Sequence, residues 1–384
     1  MKVKGKKYQI LAWGLCVVLA LGMIYMIQVD KKRILERNIQ LQQQVQRPEK
    51  NYEEIAQQQL DIYDRLYSEL QVPEIVCWGD SLMTGNSGDS LTASLNSVLT
   101  KNLFKNLTNT FHAALEDGER TTPSCTIINM GVENEELRQI LVRAGANRLY
   151  LGEDIDVSSS VEPVPVLFSD EEVPDDDKDE KGGEDEYGEF TFADQKIDTF
   201  GQVTISGIRG TLQKSNDWID PTHPKYVFIR NHEGDPQKIE AGTRVELENA
   251  SKYIGDVPVF YFENISNLPV DDIILGLKKL VERYADTNNW TDDNETDPEQ
   301  ETVANNYNLP FVLICRTTEG SNLDKSLKDE FGEHYICTSI YSSEMRESAF
   351  LTLAQDVYKS LDNQGCFTDI REQIRRAVEE ANNI

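Results

Sequence analysis

Apolar residues along this chain fall into three patterns, and each predicts a different element. Ile10 to Ile27 is a run of eighteen residues without a charge, just long enough to cross a bilayer as a helix. From Lys31 to Leu70 the chain is rich in Gln, Glu, Lys and Arg. Apolar residues recur there at helical intervals, Ile34, Leu41 and Val45, then Ile55, Ile62, Leu66 and Leu70. Pro48 divides this stretch into two predicted helices, because proline removes a helical donor and clashes with the preceding turn. Beyond Leu70 come short continuous apolar runs: Ile75–Trp78, Cys125–Val132, Val257–Phe262, Pro310–Cys315 and Tyr335–Thr338. They alternate with segments of helical period, Ser90–Leu115, Val270–Tyr284, Asp324–Phe331 and Asp369–Ala381. Strands apolar on both faces and alternating with helices predict an α/β domain with a mainly parallel sheet covered on both sides.

The period changes in the middle of the domain. Short β-like runs at Glu189–Phe192, Val203–Ser206, Arg209–Leu212, Tyr226–Ile229 and Thr243–Leu247 are separated by Gly, Pro, Asn and Asp. Strands at this spacing predict a small β-rich unit. Before it, Ser169 to Glu189 carries twelve acidic residues against Lys178 and Lys181, with Gly182-Gly183 in the middle. No packed core forms from such a composition, so a flexible acidic loop is expected. Its spacing does not match an EF-hand calcium loop. The predicted organisation is a cytoplasmic tail (1–9), a transmembrane signal anchor (10–27), a helical stalk (28–70), and an α/β domain in two parts (71–160 and 252–384). The acidic loop and β-rich insert (161–251) lie between those parts.

Lys2, Lys4, Lys6 and Lys7 precede the apolar run and place the tail in the cytoplasm. Lys31, Lys32 and Arg33 follow it and weaken that asymmetry. No small-x-small cleavage site follows, so an uncleaved anchor is expected, with a single pass and the bulk of the chain extracytoplasmic. The stalk is read either as a self-associating helix or as a solitary solvated one.

The chemistry concentrates where the first apolar run ends, Pro73-Glu74-Ile75-Val76-Cys77-Trp78-Gly79-Asp80-Ser81-Leu82. A buried strand closing in a Gly-Asp-Ser turn sets a serine hydroxyl at the strand's carboxyl end, where open α/β sheets hold their ligand crevices. Here the chain resembles the SGNH/GDSL hydrolase family, whose first block is this strand and turn with the serine as nucleophile. A second block supports the likeness. Cys125-Thr126-Ile127-Ile128-Asn129-Met130-Gly131-Val132 ends in the family's Asn-x-Gly, whose glycine N–H serves the oxyanion hole. The resemblance implies a three-layer, flavodoxin-like SGNH-hydrolase fold, with Ser81, Gly131 and Asn264 as the catalytic set. Some envelope-associated members resemble this layout, with a β insert before the third block.

The family's other blocks are altered. The third is a strand followed by Gly-x-Asn; here Glu263 stands at the glycine position, and Asn264 or Asn267 is the amide on offer. The C-terminal Asp-x-x-His is not found. His334 is the only histidine after Asn267, and it leads into a strand. Asp220-Pro221-Thr222-His223 has the right spacing but precedes the third block, and it reads more simply as an Asp-Pro turn entering a strand. A serine hydroxyl is a poor nucleophile without an adjacent base. Two readings therefore stay open. One is an esterase or acyltransferase acting on an acyl (acetyl) ester of a cell-envelope glycan. The other is a catalytically degenerate SGNH-like envelope protein that binds a glycan or a partner.

A net charge of −29 argues against nucleic acid as a partner and fits an exported domain repelled by anionic lipid. The six cysteines show no metal spacing, and no cofactor motif occurs. Cys77, Cys125 and Cys315 lie in apolar runs and are expected to be buried hydrophobes.

Overall fold

The computed structural model describes residues 18–19, 21–38, 52–80, 83, 90–112, 115, 120–170, 190–192, 202–215, 226–248, 255–263, 265, 267–285, 309–338 and 347–384. Most of the acidic run Ser169–Glu189 and the Asp220–His223 motif therefore lie outside the described residues, as do positions 10–17 and 20 of the apolar run. Residues 21–38 are helical, with Leu21, Met23, Ile24 and Ile27 exposed. Among the described residues no helix is long and apolar enough to cross a membrane.

The sheets belong to the unit Ile62–Asn383. Helix α1 (Tyr52–Glu69) leads into it, burying Ile62, Tyr63 and Leu66. The first half of the α/β domain is β1 (Ile75–Gly79), α2 (Leu91–Thr110), β2 (Ile127–Gly131) and α3 (Leu137–Arg143). The second half is β12 (Val257–Phe262), α4 (Val270–Ala285), β13 (Val312–Arg316), α5 (Asn322–Phe331), β14 (Tyr335–Thr338), α6 (Glu347–Asn363) and α7 (Thr368–Asn382). The five strands form one sheet in the order β14-β13-β12-β1-β2, and every pairing is parallel. Counted along the chain this is 2-1-3-4-5, the flavodoxin-like order, and it reverses between β1 and β12.

Local chemistry explains these elements. Every residue of β1 and β12 is buried, as central parallel strands require. Pro258 sits inside β12 without breaking the sheet. The Val257 N–H donates to Glu74 O at 3.1 Å on the β1 side. Alternation turns the next N–H the other way, where β13 begins only at Val312, opposite Val259. Helix α2 starts on Ser90, whose hydroxyl accepts the Ala93 N–H at 3.1 Å. Helix α4 has Asp271 and Asp272 in its first turn and Arg283 in its last, matching the helix dipole. The core against α3, α4 and α5 includes Val76, Trp78, Met130, Phe260, Phe262 and Leu313. Helix α2 packs with α6 and α7.

Between α3 and β12 the chain builds a second, antiparallel sheet. Its strands are β3 (Leu149–Leu151), β5 (Val164–Val166), β6 (Phe168–Ser169), β7 (Gln202–Ile205), β8 (Ile208–Lys214), β9 (Tyr226–Arg230) and β11 (Arg244–Leu247). They run in the order β5-β9-β8-β7-β11-β3-β6. A two-stranded ribbon pairs β4 (Ile155–Val157) with β10 (Gln237–Ile239). These strands begin at Leu149, ahead of the expected boundary at 161. Helix α3 is the shared wall: Leu137, Ile140 and Leu141 join the parallel-sheet core, and Val142 joins the core of the inserted sheet. On the same helix Arg138 pairs with Asp170, and Gln139 Nε2 donates to Thr191 O at 2.6 Å.

Candidate functional site

The strand order reverses between β1 and β12, and in open α/β sheets ligand crevices form beyond the carboxyl ends of the strands at such a reversal. β1 ends in Gly79, which lies directly between Tyr261 of β12 and Gly131 of β2. Glycine is demanded here twice. Its φ is +151°, and a Cβ would lie 2.5 Å from the Tyr261 carbonyl oxygen and 3.0 Å from Tyr261 Cβ. The glycine of the Gly-Asp-Ser turn is thus required by how closely β12 approaches β1, before any chemistry is considered.

Asp80 follows with no exposed surface. Its Oδ2 accepts the Glu263 N–H at 2.8 Å, tying the end of β1 to the end of β12. Ser81, the next residue in sequence, lies outside the described residues, and so does Asn264. The chain returns at Met83, whose N–H donates to Asp80 O at 3.0 Å. Asn129 Nδ2 donates to Met83 O at 2.5 Å, and Asn129 Oδ1 accepts the Gly131 N–H at 2.9 Å. The Val132 N–H donates to Gly79 O at 2.8 Å. Gly79 and Met83, on either side of Ser81 in sequence, are therefore both hydrogen-bonded to the glycine block, Met83 through Asn129. The signal for that link was a polar residue inside the otherwise apolar Ile127–Met130.

Beneath the glycine block is a buried ion pair. Arg143 and Glu135 have no exposed side-chain surface; Nε meets Oε1 at 2.7 Å and Nη2 meets Oε2 at 2.5 Å. Arg143 Nη2 also donates to Met130 O at 2.6 Å. The guanidinium carbon stands 4.8 Å from the centroid of the Trp78 ring, a cation–π contact with the strand that carries the serine turn. No periodicity announced this pair. Glu135 lies in the loop after β2 and Arg143 at the end of α3, a separation that matches no helical or strand contact rule.

On the far side of Gly79, Tyr261 is fully buried, and among the described residues its hydroxyl has no hydrogen-bond partner. Leaving such a group unpaired costs about 1–3 kcal/mol. Burial pushes its ionisation up, the carboxylates of Asp80 and Glu263 push it further, and Arg316 opposes them. The hydroxyl therefore lies within electrostatic reach of charged groups at the ends of β1, β12 and β13, and it keeps its proton at neutral pH.

The three described histidines are carried elsewhere. His112 follows the carboxyl end of α2, a helix about 30 Å long that runs away from the crevice. His334 precedes β14 at the opposite edge of the sheet, stacked 4.1 Å from Phe311. His232 is exposed between β9 and β10 of the inserted sheet. None is carried by a loop leaving the carboxyl end of a parallel strand. Asn267 is described and exposed, in the turn before α4. Cys77 and Cys125 are buried thiols whose ionisation burial pushes up to about 12, so they remain unreactive packing groups at neutral pH. Among the described residues no cluster of three or more His, Cys, Asp or Glu side chains is placed to hold a metal ion.

Comparison with protein families, with curated proteins and with solved structures gave no match.

Proposed function

We propose that this protein is a membrane-anchored, extracytoplasmic serine esterase or acyltransferase of the SGNH/GDSL type, acting on an acyl, in particular acetyl, ester of a cell-envelope glycan. One observation carries the reading. The Gly79–Asp80 turn ends an interior strand of a parallel sheet where the strand order reverses, bonded to the Asn-x-Gly end of the neighbouring strand. In this reading Ser81 attacks the ester carbonyl, and Gly131 and Asn264 hold the developing oxyanion. The buried carboxylates of Asp80 and Glu263 make the end of β1 polar on one side. The anchor rests on the uncharged apolar run from Ile10 to Ile27 in the sequence. The glycan and the envelope location rest on family likeness and on that anchor.

A second reading, a degenerate SGNH-like protein that binds a glycan or partner, is favoured by two observations. The Gly131 N–H is already engaged by Asn129 Oδ1, and none of the described histidines stands at the carboxyl edge. Hydrolysis of p-nitrophenyl acetate by the purified protein, wild type against Ser81→Ala, separates the two. Loss of turnover in the variant supports the enzyme. Equal rates, or no turnover in either, move the function to binding.

A further inference from the structure

Cys315 and Cys337 stand opposite each other on neighbouring strands. β13 and β14 pair in parallel, and the register that sets Leu313 against Tyr335 sets Cys315 against Cys337. Adjacent strands lie about 4.7–4.9 Å apart, inside the distance of about 4.4–6.8 Å between α-carbons that a disulfide spans. Both side chains also lie on one face of the sheet, Cys315 within the core against α3, α4 and α5 and Cys337 packed against it. Cys77, by contrast, stands opposite Val259 and Asn129. The two facing thiols differ in access. Cys315 is on an inner strand with no exposed surface, whereas Cys337 is half-buried on β14, the last strand in the order. The Cys337 sulfur lies 3.1 Å from Thr317 Oγ1, and its S–H donates to Thr317 O at 3.6 Å. A thiol is a weak donor and acceptor, so these contacts hold it only lightly. The proximity is also felt electrostatically: burial foremost, and then Cys337, push the ionisation of Cys315 up.

We propose that Cys315 and Cys337 are a reversible redox pair that closes a disulfide between β13 and β14, with a low-molecular-weight disulfide as oxidant. The pair is independent of the hydrolysis proposed above. Cys337, the accessible thiol, loses its proton to solvent and attacks one sulfur of the oxidant. The oxidant's S–S bond breaks, and its other half leaves as a thiolate that takes up a proton. Cys315 then loses its proton and attacks the Cys337 sulfur of the mixed disulfide. The new bond joins the two strands, and the second half of the oxidant leaves as a thiol. Two protein thiols thus give up two electrons, and one disulfide is reduced to two thiols. The closed bond ties the edge strand to its neighbour and encloses α5, the helix between them. It is also easily reopened. Opposed residues of a parallel pair keep their β-carbons near the strand spacing of about 4.7–4.9 Å, wider than the separation of about 3.5–4.5 Å in a relaxed disulfide. A strained disulfide is the labile, regulatory kind.

The test exposes the folded, reduced full-length protein to oxidised glutathione, then unfolds it in excess N-ethylmaleimide and maps its peptides by mass without reductant. Wild type is compared with Cys315→Ser and Cys337→Ser. In wild type the expected product is a peptide pair joined through Cys315 and Cys337, which dithiothreitol separates. Cys315→Ser should instead keep glutathione on Cys337, because the thiol that resolves the mixed disulfide is gone. Cys337→Ser should leave Cys315 carrying maleimide, because the buried thiol does not meet the oxidant by itself. Wild type in which Cys315 and Cys337 both return carrying maleimide overturns the proposal. So does wild type that keeps glutathione on Cys337 while Cys315 carries maleimide, because the two sulfurs then do not meet. The decisive comparison is made on wild type, so a failure of either variant to fold leaves it intact.

Discussion

Replacing Arg143 by Met tests whether the Glu135–Arg143 pair holds the floor of the site. Met keeps the apolar stem that lies against Trp78 and removes only the guanidinium. Glu135 then loses its contacts at 2.7 and 2.5 Å, and the Met130 carbonyl loses its donor at 2.6 Å. The carboxylate has no exposed surface through which water can compensate. Removing one partner of a buried pair costs about 3–5 kcal/mol, whereas replacing both by apolar groups is often near neutral. The double variant Glu135→Met/Arg143→Met should therefore be more stable than Arg143→Met alone. It should retain a deficit of about 1 kcal/mol for the unpaired Met130 carbonyl. Calorimetric unfolding of wild type, both single variants and the double variant measures the cycle. At roughly 2–4 °C per kcal/mol for a large domain, the Arg143→Met melting temperature should fall by about 6–20 °C. A single variant within about 1 kcal/mol of wild type, or a double variant less stable than the single, refutes the claim that an uncompensated buried charge is what the pair prevents.

Two further outcomes follow from the geometry. Gly79→Ala should destabilise by at least about 2 kcal/mol, because the new Cβ meets a strand carbonyl that cannot move aside at a φ that alanine avoids; a melting temperature within about 1 °C of wild type contradicts this. Asp324 is buried at the start of α5, where it accepts the Gly320 N–H at 2.7 Å and the Tyr335 hydroxyl at 3.0 Å. The Gly320 N–H is the main cause that holds its ionisation below the ordinary value. A depressed folded pKa stabilises above the unfolded value of about 3.9, and that stabilisation is lost as pH falls through the folded value. Asp324→Asn should accordingly cost about 1 kcal/mol at neutral pH and flatten the acid limb of a stability–pH curve below about pH 4; an unchanged acid limb contradicts the assignment.

The parallel sheet is legible in the sequence because its strands are buried on both faces. Val76, Trp78, Phe260 and Phe262 stand in unbroken apolar runs that a half-exposed strand would not show. The Ser90 cap and the period of Val270–Tyr284 make α2 and α4 equally plain. Strands β3 to β6 are not legible, because two or three residues carry no period; as a result the antiparallel segment opens at Leu149, ahead of the expected boundary. Helix α6 left a usable signal that went unread, with Phe350, Leu353, Ala354, Val357 and Leu361 on one buried face. For the site, the glycine block and the turn before Ser81 are readable as motifs. Asn129 left a sign, a polar residue inside an apolar strand, whereas the Glu135–Arg143 pair and the burial of the Tyr261 hydroxyl depend on tertiary packing that no local pattern encodes.

Covalent labelling tests the central claim most directly. A fluorophosphonate reacts with a serine that has been made nucleophilic and leaves ordinary surface serines untouched. Intact-mass analysis of the full-length protein after exposure should show a single phosphonyl adduct, mapped to Ser81 by peptide sequencing, and none in Ser81→Ala. An unlabelled wild-type protein, or an adduct that persists in Ser81→Ala, contradicts the assignment of Ser81 as the nucleophile at the end of β1.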